Sequence, residues 1–168
     1  MSGPGSYLVG KEERENILEV IDSKYLFRYG DLDDPAFTKK VYTLEREFSN
    51  YIGVNYCVAT VSGTMALYNA LKTLGIGEGD EVLVPGYTYV ASFTAVISVG
   101  AVPVLTEIDE SLTIDPDDIL RKITARTKCI MPVHMIGNSC DMDKIISIAN
   151  KHNLYVVEDC CQAAGASY

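Results

Sequence analysis

Apolar positions follow two rhythms along the 168-residue chain. Up to about residue 53 they recur at helical spacing. "KEERENILEVIDSK", residues 11–24, sets Ile17, Leu18, Val20 and Ile21 among charges and predicts an amphipathic helix. "YLFRYGDLDDP", residues 25–35, carries Gly30, acids and Pro35 and predicts a loop. "FTKKVYTLEREFSNYIG" places Val41, Leu44, Phe48 and Ile52 at helical spacing, with Gly53 as the stop. From Asn55 onward short apolar runs alternate with helical patterns. "YCVATV" (56–61), "EVLVP" (81–85), "VPVLTEI" (102–108), "TKCIMPV" (127–133) and "LYVVED" (154–159) predict strands. Helices are predicted at roughly 64–74, 89–99, 116–123 and 141–152. Strands apolar on both sides, alternating with helices, imply the α/β class: a mainly parallel sheet with helices on both faces. Such sheets bind ligands at the carboxyl ends of their strands, so the chemistry should lie there.

Composition narrows the field. The length suits one domain with a real core, and 48% hydrophobic with 22% charged residues is an ordinary globular balance. No apolar stretch approaches a membrane span, and "MSGPGSYLVGKEE" lacks the layout of a signal peptide. A net charge of −9 without a Lys or Arg run points away from nucleic acid and anionic lipid. The five cysteines (57, 129, 140, 160 and 161) form no CxxC pair, which suggests reduced thiols in the cytoplasm. Cys57 and Cys129 lie in apolar runs and read as small core residues. With only His134 and His152 to join them, no metal site is expected.

Three strand ends carry candidate chemistry. "VSGTMALYNAL", residues 61–71, puts Ser62, Gly63 and Thr64 just before a helix, whose first N–H groups and dipole favour an anion. Gly63 lets a phosphate approach and the hydroxyls add donors. The alternative is that Ser62 or Thr64 only caps the helix. "GIGEGD", residues 75–80, lacks the strand-then-GxGxxG context of a dinucleotide site and reads as a helix cap and turn. "VPGYTYVAS" presents Tyr87 and Tyr89, which can stack on a flat heterocycle or simply pack. "VVEDCCQAAG" places Asp159 at the end of the last strand. That acid can cap a turn, or it can keep a ring nitrogen protonated. Gln162 can donate to a nearby oxygen.

Taken in order, "LEREFSNYIGVNYCVATVSGTMALYNAL", "LGIGEGDEVLVPGYTYVAS", "VGAVPVLTEIDESLTIDPDDI", "ITARTKCIMPVHMIGNSCDMDKI" and "LYVVEDCCQAAGA" resemble the DegT/DnrJ/EryC1/StrS family of sugar aminotransferases. That family has the fold type I architecture, and the resemblance runs from about residue 25. It implies a pyridoxal 5′-phosphate site. Gly63 and Thr64 would bind the phosphate, Tyr89 would stack on the ring, Asp159 would pair with the pyridinium nitrogen and Gln162 would contact the phenolic oxygen. His134 would support the site without reacting. Tyr29 and Arg28 occupy a stretch that lies by the substrate in the family, or else an exposed loop.

The resemblance also implies something missing. Family members carry a Schiff-base Lys downstream of the ED-x-x-QA-x-G stretch, whereas every Lys here (11, 24, 39, 40, 72, 122, 128, 144, 151) precedes Asp159. Residues 1–24 are expected to form a tail and helix, and 25–168 the N-terminal half of the cofactor-binding large domain, without the C-terminal small domain. The preferred expectation is one subunit of a split aminotransferase. A second polypeptide would supply the Lys and the C-terminal domain, and two copies of each chain would form a heterotetramer. Glutamate or glutamine would donate nitrogen to a keto sugar nucleotide or a cyclitol ketone. A truncated full-length enzyme and a non-catalytic binding or regulatory protein are the alternatives, and the family also includes dehydratases with His in place of the Lys. A dehydrogenase-like Rossmann domain is disfavoured, because the first strand leads into "SGT" and the second into "PGYTY".

Overall fold

The computed structural model describes residues 5–168, so the first four residues of the expected tail lie outside the described residues. The chain forms two compact units that divide between Ala59 and Thr60. Within the first unit, Glu45 gathers the Arg28 guanidinium, the Tyr29 hydroxyl and the Ala59 N–H into one cluster. In the first unit, α1 (Lys11–Ser23) and α2 (Lys40–Ile52) are linked by the Lys40–Glu19 ion pair at 2.6 Å. Residues 25–35 form no helix or strand, as expected, and the helical stretch read from Phe37 becomes helix only at Lys40.

The stretch 56–61, expected to be a strand, is not one. An extended segment becomes a strand only when a neighbour completes its backbone hydrogen bonds. Here the Ala59 N–H is taken by the Glu45 carboxylate at 2.8 Å, and Tyr56 and Val61 stand 89% and 92% exposed. Cys57 is accordingly only half-buried, while Cys129 is buried as expected.

The second unit alternates helix and strand: α3 (Gly63–Thr73), β1 (Glu81–Pro85), α4 (Val90–Ser98), β2 (Val102–Thr106), α5 (Pro116–Lys122), β3 (Thr127–Ile130), α6 (Met142–His152) and β4 (Tyr155–Val156). The four strands make one parallel sheet in the order β2-β1-β3-β4. Every residue of β1 is buried, and alternation sends Val82 and Val84 to one face and Leu83 to the other. Val82 and Val84 pack with Leu67 and Leu71 of α3 and Ala95 and Val96 of α4. Leu83 and Ile130 pack with Ile119 of α5 and with Ile145 and Ile148 of α6. Helices thus cover both faces.

Three strands are shorter than their apolar runs. Pro132 lacks an N–H and interrupts the β3 ladder, which resumes only as an isolated bridge between Val133 and Asp159. The expected strand 154–159 narrows to Tyr155–Val156, with Tyr155 exposed. The run 102–108 stops at Thr106, after which Ile108 bridges Ile114.

Sequence logic is clear at the helix ends. Asp115 and Asp141 cap α5 and α6 by accepting the N–H groups of Asp117 and Lys144. Gly75, with φ +76, closes α3 in the left-handed conformation that glycine adopts freely. From β1 the chain steps outward to β2, then crosses back to β3 on the other side. The reversal opens a crevice at the carboxyl ends of β1 and β3, where ligands of such sheets bind.

Candidate functional site

Residues from four parts of the second unit converge on that crevice. Ser62 is the N-cap of α3 and its hydroxyl accepts the Met65 N–H at 3.2 Å. The capping role therefore belongs to Ser62, leaving Gly63 and Thr64 as the first two residues of the helix, whose N–H groups have no acceptor within it. These two groups and the Thr64 hydroxyl make a candidate anion cradle at the positive end of the helix. Gly63 leaves room for its neighbour: a Cβ there would lie 2.8 Å from the Cys161 sulfur, which would have to turn aside. Partial burial, and then the Asp159 carboxylate, push the Cys161 thiol up to about 11, so it remains a neutral thiol against the cradle. Cys161 was not singled out from the sequence, where it looks like one more small residue after an acid.

The β1–α4 connection supplies the next elements. Tyr89 is the N-cap of α4 and its ring is 66% exposed at the strand end, where it is free to stack. Tyr87 is also exposed. Thr88 and Ser92 flank Tyr89 on the same turn, with hydroxyls 2.8 Å apart.

Asp159 lies beyond β4 and is only 5% exposed. Its Oδ2 accepts the Ser92 hydroxyl at 2.8 Å and its Oδ1 accepts the Cys161 N–H at 3.2 Å. Its own backbone is fastened to the segment after β3. The Asp159 N–H donates to the Pro132 carbonyl at 2.9 Å, and the His134 N–H donates to the Asp159 carbonyl at 3.3 Å. Among the described residues, no Lys, Arg or His pairs with this carboxylate. The other three buried acids each have an arginine: Glu45 has Arg28, Glu81 has Arg126 and Asp118 has Arg121. A buried carboxylate without a cation is costly, and it is a natural place for one to bind.

Gln162 sits three residues on. Its side-chain carbonyl accepts the Ile136 N–H at 2.9 Å, which leaves the amide NH₂ to donate outward. Ile136 holds a left-handed backbone (φ 56), rare for a β-branched residue, and that conformation aims its N–H at Gln162.

His134 and Glu158 lie on the other side of this segment. The Cys140 N–H donates to His134 Nδ1 at 3.1 Å, so Nε2 carries the proton and donates to Glu158 at 2.9 Å. His134, Glu158 and Cys160 bring ligand atoms within 4.8 Å of one another, a grouping the sequence did not suggest. The donor set nevertheless does not fit a metal. A metal on Nε2 needs that nitrogen free and the proton on Nδ1, where the Cys140 N–H already points. Both ring nitrogens of His134 serve the scaffold instead. In the first unit, Arg28 and Tyr29 are both held by Glu45, which gives these two residues a structural job in their loop.

The arrangement can therefore hold a phosphate, an aromatic ring and a cationic nitrogen. Comparison with known proteins agrees with that chemistry. The profile of the DegT/DnrJ/EryC1/StrS aminotransferase family matches residues 9–168. Over 159 residues the chain is 45% identical to the dTDP-3-amino-3,6-dideoxy-alpha-D-galactopyranose transaminase of Aneurinibacillus thermoaerophilus, covering 94% of this chain and 41% of that protein. Over 124 residues it is 45% identical to the L-glutamine:2-deoxy-scyllo-inosose aminotransferase of Streptomyces lividus, covering 73% of this chain and 29% of that one. The solved structure of NtdA from Bacillus subtilis with bound cofactor PMP superposes with a TM-score of 0.82 at 36% identity, over 98% of this chain and 37% of that chain. The chain thus spans well under half the length of these relatives.

Proposed function

The chain belongs to the DegT/DnrJ/EryC1/StrS aminotransferase family, and from that premise we propose that residues 60–168 form the cofactor face of a pyridoxal-phosphate-dependent sugar or cyclitol aminotransferase. The observation that carries this reading is Asp159, the one buried acid without an arginine among the described residues. When bound, the cofactor supplies a protonated heterocycle that takes up the electron pair of a breaking substrate C–H bond. Asp159 keeps the proton on the ring nitrogen, because a carboxylate beside that nitrogen favours its cationic form. The Gly63 and Thr64 N–H groups and the Thr64 hydroxyl bind the phosphate. The Tyr89 ring lies against the heterocycle, and the Gln162 NH₂ donates to the phenolic oxygen.

No lysine is hydrogen-bonded to, or ion-paired with, Asp159, Ser92 or Gln162 among the described residues. The amine that anchors the cofactor and moves the substrate proton comes, on this reading, from a second polypeptide that also supplies the C-terminal domain. One feature of the described residues supports the need for a complement. The outermost strands β2 and β4 have exposed apolar side chains at Val102, Leu105 and Tyr155. The assembly contains two copies of each chain. Glutamate or glutamine donates the amino group, and a keto sugar nucleotide or a cyclitol ketone accepts it.

The test is to purify the chain together with a polypeptide that carries the downstream lysine stretch. The complex is expected to retain pyridoxal phosphate through gel filtration and to convert a keto sugar nucleotide to its amino sugar with glutamate or glutamine. A dehydrated product without amino transfer would overturn the transaminase assignment. A complex that binds no cofactor would overturn the reading as a whole.

A further inference from the structure

Ser92 is the only polar residue among the three buried residues of α4, the others being Ala95 and Val96. A helical hydroxyl usually bonds back to a carbonyl three or four residues earlier. Thr94 and Ser98 in the same helix do so, donating to Ala91 and Thr94. Ser92 instead reaches across 67 residues of sequence to Asp159 Oδ2. A carboxylate only accepts, so the Ser92 O–H donates to Asp159 and the Ser92 oxygen is left to accept the Thr88 O–H. The direction of the chain is therefore fixed: Thr88 to Ser92 to Asp159. With the Cys161 N–H on Oδ1, donors from two elements clamp both carboxylate oxygens. The turn that carries the hydroxyls also carries Tyr89, whose carbonyl accepts the Ser92 N–H at 3.1 Å.

We propose that Ser92, polarised by Thr88, is a positioning residue that sets the Asp159 carboxylate against the ring nitrogen of bound cofactor, in register with the Tyr89 platform. This rests on the cofactor reading above. Hydroxyl and platform share one turn, so a shift of α4 moves the ring and its counter-ion together.

The experiment titrates two probes by calorimetry into the chain in complex with its complementing polypeptide. One probe is pyridoxamine 5′-phosphate, and the other is its carbocyclic analogue with C–H in place of the ring nitrogen. Wild type is expected to prefer the nitrogen-containing probe. Ser92→Ala should bind that probe about tenfold more weakly, the scale of one hydrogen bond to a charged group, with the analogue changed by less than about twofold. Thr88→Val should show the same pattern at about threefold. Equal weakening of both probes in Ser92→Ala would mean a merely structural serine and overturn the positioning role. A wild type that binds both probes equally, or neither, would overturn the assignment of Asp159 itself, and the positioning role with it.

Discussion

The two ends of the parallel sheet each hold a buried acid, and the two acids live differently. At the amino end, Glu81 of β1 is met by the Thr124 hydroxyl, the Arg126 guanidinium at 2.6 Å and the Thr127 hydroxyl. At the carboxyl end, Asp159 is met by one hydroxyl and one backbone N–H, with no cation among the described residues. Thr124 first and Arg126 next hold the Glu81 carboxyl below the ordinary range, against the opposing effect of burial. The amino-end acid is thus complete within the chain and acts as a fastener between β1 and the entry to β3. The carboxyl-end acid is fully oriented but lacks its counter-charge, which is the arrangement a cationic ligand needs. Burial alone does not distinguish a structural acid from a functional one. The partner does.

Asp159→Asn gives the largest expected effect, because it removes the charge and keeps the shape. Affinity for pyridoxamine phosphate should fall on the order of a hundredfold, the upper range of one charge-assisted hydrogen bond. The ligand-free complex should keep or raise its melting temperature, since an unpaired buried charge is removed. Calorimetry and thermal denaturation read the two quantities separately. A parallel loss of both would break the contrast between the sheet ends.

Glu81→Gln should do the opposite, costing about 1–3 kcal/mol of stability as its bonds to Thr124 and Arg126 weaken, with cofactor affinity unchanged. Its effect is also pH-dependent. The folded carboxyl titrates below its unfolded value, so its contribution is present above about pH 4.5 and fades as pH falls through the folded value. Two other acids add to the same acid loss. In Glu45 burial raises the carboxyl but Arg28 and the Ala59 N–H outweigh it, and in Asp118 the Glu107 N–H and Arg121 outweigh burial. Urea unfolding between about pH 3 and pH 6 should therefore show a shallower decline for Glu81→Gln than for wild type. An identical slope would remove Glu81 from the amino-end fastener.

Gly63→Ala is the smallest expected change. The new methyl meets the Cys161 sulfur, a side chain that can turn aside, so cofactor binding should weaken only a few-fold. Adding Cys161→Ala should restore it. If the double variant binds no better than the single one, the close approach of cradle and segment 159–162 has no bearing on the site.

Much of this was legible in the chain. "EVLVP" reads as a fully buried strand, and the apolar run into "ED" marks Asp159 as the strand-end acid. Residues whose meaning depends on a distant partner were not legible. Nothing in the sequence around Ser92 singles it out, because its partner Asp159 lies 67 positions away. Nothing local to Glu81 announces its partner Arg126, which arrives from 45 positions on. The over-reading of 56–61 has the same origin. Its composition is that of a strand, but its backbone partner is the Glu45 side chain and not a neighbouring strand.

The central claim is that Asp159 is a counter-ion waiting for a pyridinium. The most direct measurement is the nitrogen NMR shift of ring-labelled pyridoxamine phosphate bound to the complex, compared between wild type and Asp159→Asn. The account predicts a protonated ring nitrogen in wild type at neutral pH, and an unprotonated one in whatever cofactor Asp159→Asn still binds. An unprotonated ring bound to wild type, or a protonated ring that persists in the variant, would contradict it.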